Sequence, residues 1–219
     1  MDQTTLTYLD AYCERAGDPG IWGEPLNAAT NLFFFAAAIL GAYALGRAGL
    51  RERRIDFWLL LASLAGIAVG SGLWHIAPRG DTVLMDVIPI TLFIHIYLVA
   101  ALRRLFQLTW LQVAMWWLLY TAISVLAQAT LPPDTLNGTV MYIPTYLTLV
   151  VITVMLWRRD AALGRVFATI VAVWTASLVF RTIDMDICAR LPIGTHFLWH
   201  SLNAWVLWRL LMALLSRAK

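Results

Sequence analysis

Seven long apolar runs alternate with short polar connections along the chain, at approximately 27–46, 57–77, 83–102, 108–130, 138–157, 166–185 and 192–215. Each is near the roughly 20 residues that a helix needs to cross about 30 Å of hydrocarbon. Only helices and closed barrels satisfy their own backbone hydrogen bonds in lipid, and runs this uniform lack the alternation of barrel strands. The pattern predicts an all-α membrane protein, a bundle of seven transmembrane helices. The connections are short, and no repeat or low-complexity segment interrupts them. The chain therefore reads as one seven-span domain over 1–219, with a polar tail over 1–26.

Composition agrees: 61% of the 219 residues are hydrophobic and 13% charged, whereas a soluble domain is about a quarter charged. Charge adds an orientation, because cationic residues stay on the cytoplasmic side. Alternate connections collect Arg47, Arg51, Arg53, Arg54, Arg103, Arg104, Arg158, Arg159, Arg165, Arg209, Arg217 and Lys219 on one side. Only Arg15, Arg79 and Arg190 lie on the other, a bias of twelve to three, with Arg181 in or at the end of a span. The expectation is an N-terminus outside and a cytoplasmic C-terminus. The net charge of +3 is thereby used up as an orientation signal, leaving no basic patch for nucleic acid. The tail carries Asp2, Asp10, Glu14, Asp18 and Glu24 against one arginine, so it reads as a translocated acidic segment and not as a cleaved signal peptide.

Chemistry enters with the stretch "GTHFLWHSLNAW", which places His196 and His200 four residues apart on one helical face. A third histidine, His75, ends the second span in "GSGLWHIAPRGD", with Ser71 one turn earlier, and Asp86 opens the third. Helix polarity alternates, so the end of span two and the starts of spans three and seven share one depth. Three histidines with an open fourth position and a carboxylate to accept a proton are what a catalytic zinc site requires. Asp86 is then the proton acceptor, and Ser71 a donor to the developing oxyanion. The plainer reading, a polar bridge between helices, suits His95, which lies nine residues beyond Asp86 on the opposite face. It suits a cluster at one depth less well, since ionisable groups in a bilayer are costly and usually functional.

Both cysteines, Cys13 and Cys188, fall on the outer, oxidising side, where a disulfide and two free thiols are both open. The carboxylates Asp10, Glu14, Asp18 and Glu24 offer oxygen ligands to a hard cation such as calcium, or form a solvated acidic face, which is the preferred reading.

Taken together, these elements resemble the alkaline ceramidase family, within the wider superfamily of seven-span zinc hydrolases that includes the adiponectin receptors. The resemblance rests on Tyr12-Cys13-Glu14, on Glu24-Pro-Leu-Asn27-Ala-Ala-Thr30-Asn31, on Ser71 and His75 with Asp86 eleven residues later, on Arg181-Thr-Ile-Asp184 with Cys188, and on His196-x-x-Trp199-His200. It implies that His75, His196 and His200 hold zinc, with Asp86 and Ser71 as above, and that Cys13 and Cys188 pair. It also implies calcium held by the N-terminal segment, with Asp10, Glu14 and Glu24 as the candidates; the pattern departs from the family at Ala11 and Ala16.

The expected function is an intramembrane zinc amidohydrolase. It would cleave ceramide or a related lipid amide, entering from the membrane, to a fatty acid and a sphingoid base or amine near the extracytoplasmic side. Trp199, between two ligands, would pack against substrate. The alternative is a lipid-sensing receptor with a structural zinc, for which the same ligands are expected. A retinal protein is excluded, because the only lysine is Lys219 at the terminus. A cytochrome would use His75 with His200 but leave His196 and Asp86 unexplained. Short loops and an odd span number give a transporter no support.

Overall fold

The computed structural model describes residues 8–49 and 54–217; Asp2, Arg51, Arg53 and Lys219, used in the charge argument, lie outside them. Seven helices are long and apolar enough to cross a membrane: α1 Pro25–Arg47, α2 Ile55–Ile76, α3 Gly80–Arg104, α4 Trp110–Thr130, α5 Thr139–Arg159, α6 Ala161–Ile183 and α7 His196–Leu215. There is no strand among the described residues. The chain is a helical multi-pass membrane protein.

Local chemistry sets the helix limits. Pro25 stands in the first turn of α1, where its missing N–H costs nothing. Thr109 caps α4 by accepting the Gln112 N–H, and the Gln112 side chain accepts the Thr109 N–H in return. Asp160 caps α6 through the Leu163 N–H, which starts that helix several residues before the apolar run does. The last span begins at His196, later than its apolar run, because Leu191–Gly194 turns outside the helix.

The helices pack in a closed ring, each against its neighbours in sequence and α7 back against α1, with α7 also touching α2 and α3. The core is aliphatic and aromatic: Leu60 and Leu64 of α2, Phe93 of α3, Phe167 and Ile170 of α6, and Leu211 of α7 are all buried. Outward faces are apolar as well, with Leu40, Trp58, Ile88, Leu118 and Val151 exposed as lipid-facing residues are. α4 packs lightly, touching chiefly α3 and α5.

One helix pair sets the site. Gly66 and Gly70 form a small-residue seam on α2. A Cβ at Gly66 would press on the Pro89 ring 3.1 Å away, and one at Gly70 would run into the Met85 carbonyl. Pro89 has no N–H to give that carbonyl, four residues back, so α3 leaves it without its usual helical donor on the side where α2 closes. The close approach carries Ser71, next to Gly70, towards Asp86, next to Met85.

A candidate metal centre beneath the N-terminal tail

The three expected histidines come together. His75 near the end of α2 and His196 and His200 in the first two turns of α7 are all buried, with ligand nitrogens within 4.8 Å of one another. His75 Nε2 and His200 Nε2 are 3.2 Å apart.

Their partners fix which nitrogen is free. His75 Nδ1 lies 2.5 Å from Glu24 Oε2, and a carboxylate only accepts, so the proton sits on Nδ1 and Nε2 keeps its lone pair. Thr30 Oγ1 donates to the backbone oxygen of Leu26, so at 3.0 Å it accepts from His200 Nδ1 and leaves that Nε2 free too. His196 Nδ1 is buried with no hydrogen-bond partner. Two lone pairs facing each other repel unless a proton or a metal cation lies between them. The spacing is near the roughly 3.3 Å edge of a tetrahedron whose metal–nitrogen bonds are about 2.05 Å. The donor set therefore fits a metal ion, and imidazoles oriented by a carboxylate and a hydroxyl are what such sites use.

The tail forms the roof. The Tyr12 ring lies 4.0 Å from His196 and 5.0 Å from His75. Cys13 and Cys188 are joined as a disulfide, with Cα atoms 5.2 Å apart. Asp184, fully buried, accepts the Cys13, Thr195 and His196 N–H groups, tying the tail, the end of α6 and the start of α7 to one carboxylate. Gly194, in the left-handed region at φ 62°, lies directly against it, where a side chain would collide.

Asp86 is half-buried, and its exposed part faces a cavity of about 240 Å³ that also meets Ser71, His196, His200, Trp199 and Arg181. The Ser71 hydroxyl interacts with the Asp86 carboxylate. A narrower apolar cavity shares Ile90, Ile94, Tyr142 and Asn203 with the first and continues to Tyr97 and Leu210, where the Tyr97 hydroxyl donates to the Leu210 carbonyl. From Asp86 to Tyr97, or from His200 to Leu210, is about 15 Å along the helix.

Three expectations change. His95 does not bridge helices through Nδ1, which is buried without a partner; its ring instead meets Trp117 and Tyr120 of α4 edge-on. The acidic tail is a solvated face at Asp10 and Asp18 but not at Glu24, which is buried. Nor do Asp10, Glu14 and Glu24 converge on a cation: the three histidines are the one such ligand group among the described residues. Asp10 is exposed, Glu14 accepts the Leu26 and Asn27 N–H groups at the start of α1, and Glu24 is bound to Arg15, His75 and Asn27. Burial works against ionising Glu24, yet its bonds to His75, Arg15 and Asn27 outweigh burial and hold its carboxyl below the ordinary value.

Arg15, Thr30 and Arg181 join the site without having been expected there. Arg181 lines the cavity, its guanidinium 5.6 Å from the Trp199 ring and 5.7 Å from that of Tyr142, with Nε lacking a hydrogen-bond partner. No protein-family model and no curated protein matches the chain.

Proposed function

We propose that the protein is an intramembrane zinc amidohydrolase acting on ceramide or a related lipid amide. The observation carrying this reading is a group of three buried histidine nitrogens, two of them, His196 and His200, on the wall of a cavity that also holds the Asp86 carboxylate and shares lining residues with an apolar slot. His75, His196 and His200 would hold the zinc. When bound, zinc supplies Lewis acidity and lets water react near neutral pH.

The chain's own groups do the rest. The Asp86 carboxylate takes a proton from the attacking water as the water oxygen bonds to the acyl carbon. It then passes that proton to the amide nitrogen as the C–N bond breaks, giving a fatty acid and an amine. Ser71 holds Asp86 in orientation, and Arg181 offers donors to the substrate's polar end. The distance from the site at Asp86 to the far end of the apolar slot at Tyr97, about 15 Å, matches half of the roughly 30 Å hydrocarbon core and so suits one acyl chain of a membrane lipid. Burial of the site excludes bulk water and strengthens these interactions.

The test is metal content and fatty-acid release from a panel of ceramides, measured together on detergent-purified protein. His196→Ala should lose zinc and cleavage together. Asp86→Asn should keep zinc and lose at least about a hundredfold in rate. Zinc without cleavage in the wild type would favour the lipid-sensing receptor, and no zinc in any sample would remove the metal centre.

A further inference from the structure

Arg15 is among the most deeply buried large side chains, 2% exposed in a tail that is otherwise mostly polar. Four oxygens surround its guanidinium. Nε donates to Glu24 Oε1 at 2.6 Å, one terminal nitrogen to the carbonyls of Asp18 and Gly20 at 2.7 and 2.9 Å, and the other to the carbonyl of His75 at 2.6 Å. Gly23 keeps the pocket open, since a Cβ there would stand 2.8 Å from the guanidinium. One carboxylate and three carbonyls around a buried positive charge make a set of the kind a hard cation takes; here the charge is part of the chain.

We infer that the Arg15 guanidinium is a built-in replacement for a bound divalent cation and positions the metal centre through Glu24 and His75. Arg15 grips His75 twice: at its backbone carbonyl, and through Glu24, whose other oxygen accepts a hydrogen bond from His75 Nδ1. The planar fork fixes where the carboxylate points, and the carboxylate fixes the tautomer and direction of the ring. The calcium that the family resemblance implies therefore does not fit this tail, because its oxygens are already satisfied and Arg15 fills the space among them. Arg15 is a positioning residue and touches neither substrate nor metal.

The inference rests on the metal centre proposed above but not on amide cleavage. Zinc retention against a graded chelator is therefore the readout, taken on wild type, Arg15→Ala and Arg15→Lys, each with and without added calcium. Wild type should hold zinc equally in both conditions. Arg15→Ala should bind it roughly 10–100-fold more weakly, and calcium should recover part of that loss, since the vacated oxygens can take it. Arg15→Lys, which keeps the charge without the fork, should fall between and serves if Arg15→Ala fails to fold. Unchanged zinc affinity in both variants, or calcium-dependent zinc binding in the wild type, would overturn the inference. Loss of zinc affinity that calcium does not touch would overturn the cation-replacement half alone. Zinc binding that follows the expected series in a protein with no cleavage would leave this inference standing and sink the hydrolase.

Discussion

Thr30 shows how much of the centre depends on single polar atoms outside it. Its one hydroxyl proton goes to the Leu26 carbonyl a turn back, the shortest of its contacts, which leaves its lone pairs to accept from His200 Nδ1. Thr30→Ala should keep the helix but free the imidazole to change tautomer, lowering zinc affinity roughly tenfold in chelator competition; an unchanged affinity would show that packing alone orients the ring. The ligands themselves were legible in the sequence, because two imidazoles on one face of an apolar helix are costly in a bilayer unless something binds them. Glu24 and Thr30 were not, as partners: they lie 51 and 170 residues from the histidines they hold, and no periodicity links positions so far apart. One cue was available. Arg15 and Arg181 are cations on or near the side of the bundle where the charge rule leaves few, and both are tied to the site.

Among elements, α2 and α3 make the contact on which catalysis would depend. Gly70→Val should press on the Met85 carbonyl, separate Ser71 from Asp86 and destabilise the fold by about 1–3 kcal/mol, seen as a lower thermal midpoint together with loss of cleavage. The two glycines spell a GxxxG seam that sequence can show, but which helix it meets depended on the proline nineteen residues after the second glycine. Helix ends differed from the apolar runs where a cap or a turn outweighed hydropathy, as at Asp160 and at Gly194. The Asp160 cap also carries a pH prediction. Its bond from the Leu163 N–H chiefly, helped by Arg217, holds the carboxyl below its ordinary 3.8. A depressed acid stabilises the fold above the unfolded value and loses that contribution as pH falls through the folded one. The start of α6 should therefore fray only below about pH 4, read as faster hydrogen exchange at Leu163, and Arg217→Ala should move the onset to higher pH.

At the scale of the molecule, the count of spans was legible because hydrophobic length is imposed by the bilayer, whereas the roof over the centre arises from tail contacts that no apolar pattern encodes. Replacing Cys13 and Cys188 together by serine should cost roughly 2–5 kcal/mol and weaken zinc retention, since Tyr12 and Arg15 flank the lost tie; a thermal midpoint equal to the wild type would count against it. The pair also spans 175 residues of chain, and this has a consequence for biosynthesis. At about 5–20 residues per second, Cys13 is made on the order of 10–35 s before its partner. Throughout that interval the tail can reach His75 but the roof cannot close, since His196, His200 and Asp184 are also late. The centre is thus withheld until translation is nearly done, and a stalled or truncated chain exposes a lone Cys13 thiol to whatever oxidant or quality-control factor the compartment supplies.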